Sequence, residues 1–134
     1  MAVVDANGLP IGVSVWTAGE HEVKQAEQTV KWCWTKQLPK RSVADRGFDS
    51  DALDKSLAEF GVELIAPHRR NRKTENKTQD GRALRRYKRR WKVERFFAWL
   101  GNYRRLLIRH ERKVRHFEGF VHLATIIILV RNCF

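Results

Sequence analysis

Cysteine is nearly absent. Only Cys33 and Cys133 occur in 134 residues, too far apart to read as a zinc pair and too few for a disulfide framework, so a reducing cytoplasm fits best. No basic segment followed by an apolar core opens the chain, and M-A-V-V-D-A-N-G does not read as a signal peptide. Long apolar runs are lacking too. The longest, Phe120 to Val130, is interrupted by His122 and Thr125 and is too short to span a bilayer, so it reads as a buried helix. Histidines 21, 68, 110, 116 and 122 have no metal-ligand spacing, which argues against a zinc site.

Acidic residues are scarce where basic ones gather. Residues 69–116 carry nineteen Lys and Arg against four acids, whereas the remainder carries eight against eleven. The net charge of +12 is therefore a localised surface, and it points to a polyanionic partner, nucleic acid being the commonest. With 43% hydrophobic residues the chain can bury one ordinary core, so one domain or one incomplete domain is expected.

The chain opens with a hairpin signal. Asn7-Gly8 tolerates positive φ between β-branched runs, with Ile11, Val13 and Val15 alternating. Asp5, the one early carboxylate, reads as a turn former. Glu20 to Trp34 places Val23, Ala26 and Val30 on one face of an amphipathic helix. After Pro39, Ser42 to Asp45 reads as a short strand leaving at Gly47, and Asp49 or Ser50 caps a helix carrying Leu53, Leu57 and Phe60. V-E-L-I-A-P-H is another strand. Residues 69–86 have almost no apolar side chains and no period, which predicts a mobile basic loop. The order hairpin, helix, strand, helix, strand, then helices predicts a mixed α/β layer architecture.

The stretch Arg86 to Leu107 predicts one helix, with Val93, Phe96, Phe97, Leu100, Tyr103 and Leu107 as its apolar stripe. Tyr87, Arg90 and Glu94 fall beside that stripe at spacings of three and four. Glu94 is a lone acid among eight Arg and Lys. Asp45 stands at the carboxyl end of a predicted strand, where α/β sheets present ligands. Phosphodiester chemistry uses Mg²⁺ or Mn²⁺ held by a few carboxylates, and two acids from separate elements could share that task. The competing reading makes Asp45 a turn residue and Glu94 a partner of Arg90 on a solvated helix. Trp91 and Trp99 read either as base-stacking platforms or as core. Trp16, Trp32 and Trp34 read as core or as surface bared by a missing segment.

A-D-R-G-F-D-S, E-L-I-A-P-H-R-R-N-R-K and Y-K-R-R-W-K-V-E-R-F-F-A-W-L, in that order, resemble the catalytic half of bacterial insertion-sequence DDE transposases of the IS four/IS five group. The resemblance covers nearly the whole chain. It implies an RNase H-like fold in which three acids gather around two Mg²⁺ or Mn²⁺ ions, cut a DNA strand and join its 3′-hydroxyl to target DNA. By motif, Asp45 is similar to the second acid and Glu94 to the third, both catalytic and metal-binding. The helix signature Y-x2-R-x3-E-x6-K is matched by Tyr87, Arg90 and Glu94, while Gly101 stands at the lysine place, where Arg104 or Arg105 could substitute.

The first acid of that family lies on a strand preceding the hairpin with which this chain begins. The resemblance therefore implies a C-terminal piece of the catalytic domain, residues 1–134, without its first strand and without strand-transfer activity alone. Two further readings are a DNA-binding remnant that complements or interferes with a full-length enzyme, and an RNase H-like nuclease, against which the Y-R-E spacing argues. DNA ends and target DNA are the implied partners, with an upstream transposase segment or a second copy beside them. The implied DNA contacts are Tyr87, Arg90, His68, Arg69, Arg70, Arg72, Lys73, Lys88, Arg89, Lys92, Arg95, Arg104 and Arg105, mostly to phosphates and so largely blind to sequence.

Overall fold

The computed structural model describes residues 1–17, 19, 21–77 and 81–133. The helix expected from Glu20 begins on a residue outside that set, as do residues 78–80 of the basic stretch. The architecture is mixed α/β. Strands β1 (Ala2–Val4) and β2 (Pro10–Val13) form an antiparallel pair, and β3 (Arg41–Val43) pairs in parallel with β4 (Glu63–Ile65). Among the described residues these remain two separate two-stranded sheets, where the RNase H-like fold implied by the resemblance has one mixed sheet.

The hairpin forms for the reason its sequence indicates. Asp5 Oδ1 accepts from the amides of Asn7 and Leu9, each at 2.8 Å, and Gly8 takes φ +87°. The positive φ calls for glycine, and a Cβ there would also push aside the Arg95 Nη2 that lies 2.4 Å from it. Successive β1 residues face opposite sides: Ala2 and Val4 pack with one hydrophobic cluster and Val3 with the other.

The first cluster joins β2 to the helices α4 (Trp91–Gly101) and α6 (Val114–Cys133) through Val13, Phe96, Leu100, Val121, Ala124 and Ile128. The second joins α1 (Glu22–Lys31) to α2 (Asp51–Glu59) through Val30, Leu53, Leu57 and Val62. Ser50 caps α2 by accepting from the Leu53 amide at 3.4 Å, and Gly61 at φ +73° ends it. Where α1 meets the hairpin, Ser14 Oγ and Thr29 Oγ1 lie 2.6 Å apart, and Trp16 Nε1 donates to Ser14 Oγ at 2.6 Å. Trp16 in turn stacks on Trp32 at 5.6 Å between ring centres, while Trp32 keeps 60% exposure.

The single helix expected over Arg86 to Leu107 is three pieces. A 3₁₀ turn at Arg85–Arg89 leads into α4, and Asn102 and Tyr103 separate α4 from the short α5 (Arg104–Leu107). Five cations, Arg85, Arg86, Lys88, Arg89 and Arg90, crowd the start of α4, where the helix dipole already presents partial positive charge, so extending the α-helix through them is unfavourable. Of the expected stripe, Phe96 and Leu100 are buried, Phe97 is 48% exposed and Leu107 66%. Within the basic stretch two further short helical pieces occur, a 3₁₀ turn at Thr74–Asn76 and α3 (Gly81–Leu84). Among the described residues no helix is long and apolar enough to cross a membrane.

Candidate active site

Asp45 lies just past β3, whose pairing with β4 is prolonged by Ala44 N donating to Ile65 O at 3.0 Å. It caps the 3₁₀ turn Arg46–Phe48, its Oδ1 accepting from the Arg46 amide and its Oδ2 left for other partners. Glu94 is in the first turn of α4. Forty-nine positions separate the two in sequence, yet one guanidinium holds both: Arg90 Nη1 donates to Asp45 Oδ2 and Nη2 to Glu94 Oε1, each at 2.6 Å.

That fork joins the end of a strand to the start of a helix. The Asp45 and Glu94 side chains are 51% and 57% exposed and Arg90 34%, so solvent reaches the group and the ion pairs stabilise the fold little. The Arg90 guanidinium also sits 5.6 Å from the Tyr87 ring centre, which brings all three residues of the Tyr-Arg-Glu spacing to one place. Two accessible carboxylates suit a hard divalent cation in kind. They fall short in number: among the described residues no group of three or more His, Cys, Asp or Glu could hold a metal.

Beside the fork a cleft of about 600 Å³ separates the two sheets. Every residue from Met1 to Ala6 and from Arg41 to Asp45 lines it. Side chains of a strand alternate between faces, so consecutive lining residues mean that the backbone edges of β1 and β3 border the opening. Among the described residues neither edge is paired on that side. The floor is apolar, with Val30, Leu53 and Leu57 on one side and Val93 and Phe97 on the other, and the Asp45–Arg90–Glu94 fork lies along the same cleft.

A second polar cluster lies at the start of α2. The Asp49 side chain, 3% exposed, takes His68 Nδ1 at 2.9 Å, the Arg69 amide at 2.7 Å and Arg72 Nη1 at 2.7 Å. Arg72 also pairs with Asp51, and Arg69 Nη2 donates to Gly47 O at 2.7 Å. Burial pushes the Asp49 carboxyl up, but the Arg69 amide, the His68 ring and the Arg72 charge together outweigh it and hold the group below the usual carboxylate range. Asp49, read from sequence as a cap, instead ties residues 68–72 to the turn that follows Asp45. Its partners are about twenty positions away, and no local pattern signals that pairing.

The model of the Transposase DDE domain matches residues 1–130. The chain belongs to the DDE transposase family. It is 33% identical over 94% of its length to a protein named as a transposase for insertion sequence element IS402 from Burkholderia cepacia, and it spans 59% of that relative. It is 32% identical over 97% of its length to one named for element IS6501 from Brucella ovis, spanning 95% of it. No solved structure matches the chain significantly.

In this DDE transposase chain the cations expected at DNA divide into two groups. Arg69, Arg70, Lys73, Lys88, Arg89, Arg104 and Arg105 are exposed. Lys92 and Arg95 instead bind the hairpin turn, Lys92 Nζ donating to Ala6 O and Arg95 Nη2 to Asn7 O at 2.5 Å. Arg95 also lies 4.9 Å from the ring centres of both Trp91 and Trp99. His68 and Arg72 are engaged by Asp49, and their side chains keep 11% and 14% exposure. Arg105 faces Glu111 at 3.6 Å and the Phe120 ring at 5.1 Å.

Proposed function

We propose that this chain supplies two of the three acids and most of the DNA-binding surface of a transposase active site that cleaves and transfers DNA strands. One observation carries the reading: Arg90 holds Asp45 and Glu94 at 2.6 Å each, at the side of a cleft bordered by two unpaired strand edges. An RNase H-like sheet would be completed by an extended segment lying between β1 and β3. Such a segment could satisfy the backbone groups of both edges and cover Phe97 and Val93. An acid near its end would make the third carboxylate.

Asp45 and Glu94 would then hold Mg²⁺ or Mn²⁺, which when bound stabilises the attacking and leaving oxygens of an in-line displacement. Arg90, which bonds both acids, would also be placed to reach a DNA phosphate, with the Tyr87 ring centre 5.6 Å from its guanidinium. The exposed Arg69, Arg70, Lys73, Lys88 and Arg89 track phosphates on either side of the scissile bond.

A second reading is a DNA-binding chain without chemistry of its own. It is favoured by the shortage of a third donor among the described residues and by Arg90 occupying one oxygen of each acid. Cleavage of DNA bearing the element's ends separates the two. The chain alone is expected to leave such DNA intact in Mg²⁺. The chain mixed with, or extended by, an acid-bearing strand is expected to nick it, and Asp45→Asn or Glu94→Gln should abolish the nicking. Inhibition of a full-length enzyme with no cleavage under any combination would favour the second reading.

A further inference from the structure

Where α5 gives way to the connector before α6, two aliphatic side chains stand among cations. Leu107 and Ile108 keep 66% and 64% exposure, the most of any large apolar residue among those described. Arg104, Arg105, Arg109, Arg112, Lys113 and Arg115 flank them in sequence, and all six are exposed. The one acid of the stretch is withdrawn. Glu111 has a side chain only 9% exposed and faces Arg105 at 3.6 Å. The outward surface from residue 104 to residue 115 is therefore aliphatic and cationic, with no exposed carboxylate. An exposed leucine by itself signifies little. Two adjacent aliphatic residues framed by cations and by no acid define the chemistry of a partner.

The pair is held in place from both sides. Tyr103 and Leu106 pack on the first hydrophobic cluster, which fixes α5 while Leu107 stays outside. The Arg105 guanidinium lies 5.1 Å from the Phe120 ring centre and that of Arg109 5.6 Å from the Phe117 ring centre. Arg109 Nε also donates to Glu111 O at 3.0 Å. Phe117 and Phe120 both belong to α6, so a cation on each side of Leu107 and Ile108 is tied to the same helix.

We propose that Leu107 and Ile108 form a wedge that enters a base step of duplex DNA from the minor groove and bends the duplex, while the flanking cations hold phosphates beside the step. Size and charge select this occupant. A standard protein interface buries about 800 Å² on each partner, far more than two side chains supply, whereas one or two aliphatic residues suffice to part a base step. Six cations without an exposed acid match a phosphate backbone. The inference rests on DNA being the partner of this chain, and on neither Asp45 nor Glu94.

A short duplex with a central T-A step, which unstacks easily, and a dye at each end tests it. Anisotropy of the labelled duplex reports binding, and energy transfer between its ends reports bending. At saturation the parent is expected to raise the transfer, as a bend of about 20–90° requires. The double variant Leu107→Ser, Ile108→Ser is expected to bind with the same salt slope, since no cation is removed, and to leave the transfer at the value of the free duplex. Leu107→Phe, which keeps an apolar wedge, is expected to bend DNA as the parent does. All should melt with the parent, because the replaced side chains are exposed. A parent that binds without raising the transfer, or a double serine variant that still raises it, would overturn the wedge and leave DNA binding intact. A parent that does not bind the duplex at all would overturn the DNA partner and the wedge together.

Discussion

Arg90 makes two bonds of opposite legibility. Its contact with Glu94 follows from a spacing of four on a helix turn, but its contact with Asp45 spans 45 positions and depends on how β3 meets α4. The same contrast holds at Asp49, whose neighbours in sequence say cap and whose partners in space are His68, Arg69 and Arg72. Asp49→Ala is expected to lower the unfolding free energy by about 1–2 kcal/mol, a figure discounted for solvent screening, as read by urea denaturation at neutral pH. The pH dependence has a definite sign. A carboxyl held below its ordinary value in the folded chain contributes stability above the unfolded pKa, about 3.9, and loses it as pH falls through the folded value. The parent and Asp49→Ala should therefore converge in stability at strongly acidic pH; a constant gap across the titration would contradict the role given to the carboxylate.

Turns and helix ends carry the next layer. Gly8 and Gly61 both have positive φ, +87° and +73°, but a Cβ at Gly8 would strike Arg95 whereas one at Gly61 meets nothing. Gly61→Ala is expected to cost about 1 kcal/mol from backbone strain alone. Gly8→Ala should cost more, because it also displaces the Arg95 bond to Asn7 O. Equal losses in urea titrations would mean that Arg95 does not anchor α4 to the hairpin. Elements whose signals are local were readable in the sequence: the Asn7-Gly8 turn, the Val23, Ala26 and Val30 face of α1, and Ser50 and Gly61 around α2. The start of α4 was not. Apolar periodicity runs back through Tyr87, but the electrostatics of five cations at a helix N-terminus decides against the α form, and periodicity carries no record of charge.

Across the whole molecule, the positive charge lies on one part of the chain and the open cleft beside it. The order of elements followed from sequence. That the hairpin and the parallel pair stand apart with a gap between them did not, because pairing of distant edges leaves no trace in composition or spacing. Many of the expected phosphate-binding cations are exposed, so DNA affinity should fall steeply with salt, each neutralised phosphate contributing a slope of about +0.9 in log Kd against log salt. Several such contacts are expected from fluorescence anisotropy on a short duplex, and an affinity flat across salt would contradict a basic docking surface.

Asp45 and Glu94, which belong to different elements, are proposed to share one cation. Paramagnetic broadening of backbone amide signals during Mn²⁺ titration tests it most directly, since it detects weak sites and needs no catalysis. Signals from Asp45, Arg46 and Glu94 are expected to broaden together and first, and Glu94→Gln should weaken the effect at Asp45 as well as at residue 94. Broadening centred on the acids at the start of α2, or at Asp45 unaffected by the change at Glu94, would show that the two carboxylates do not share a metal.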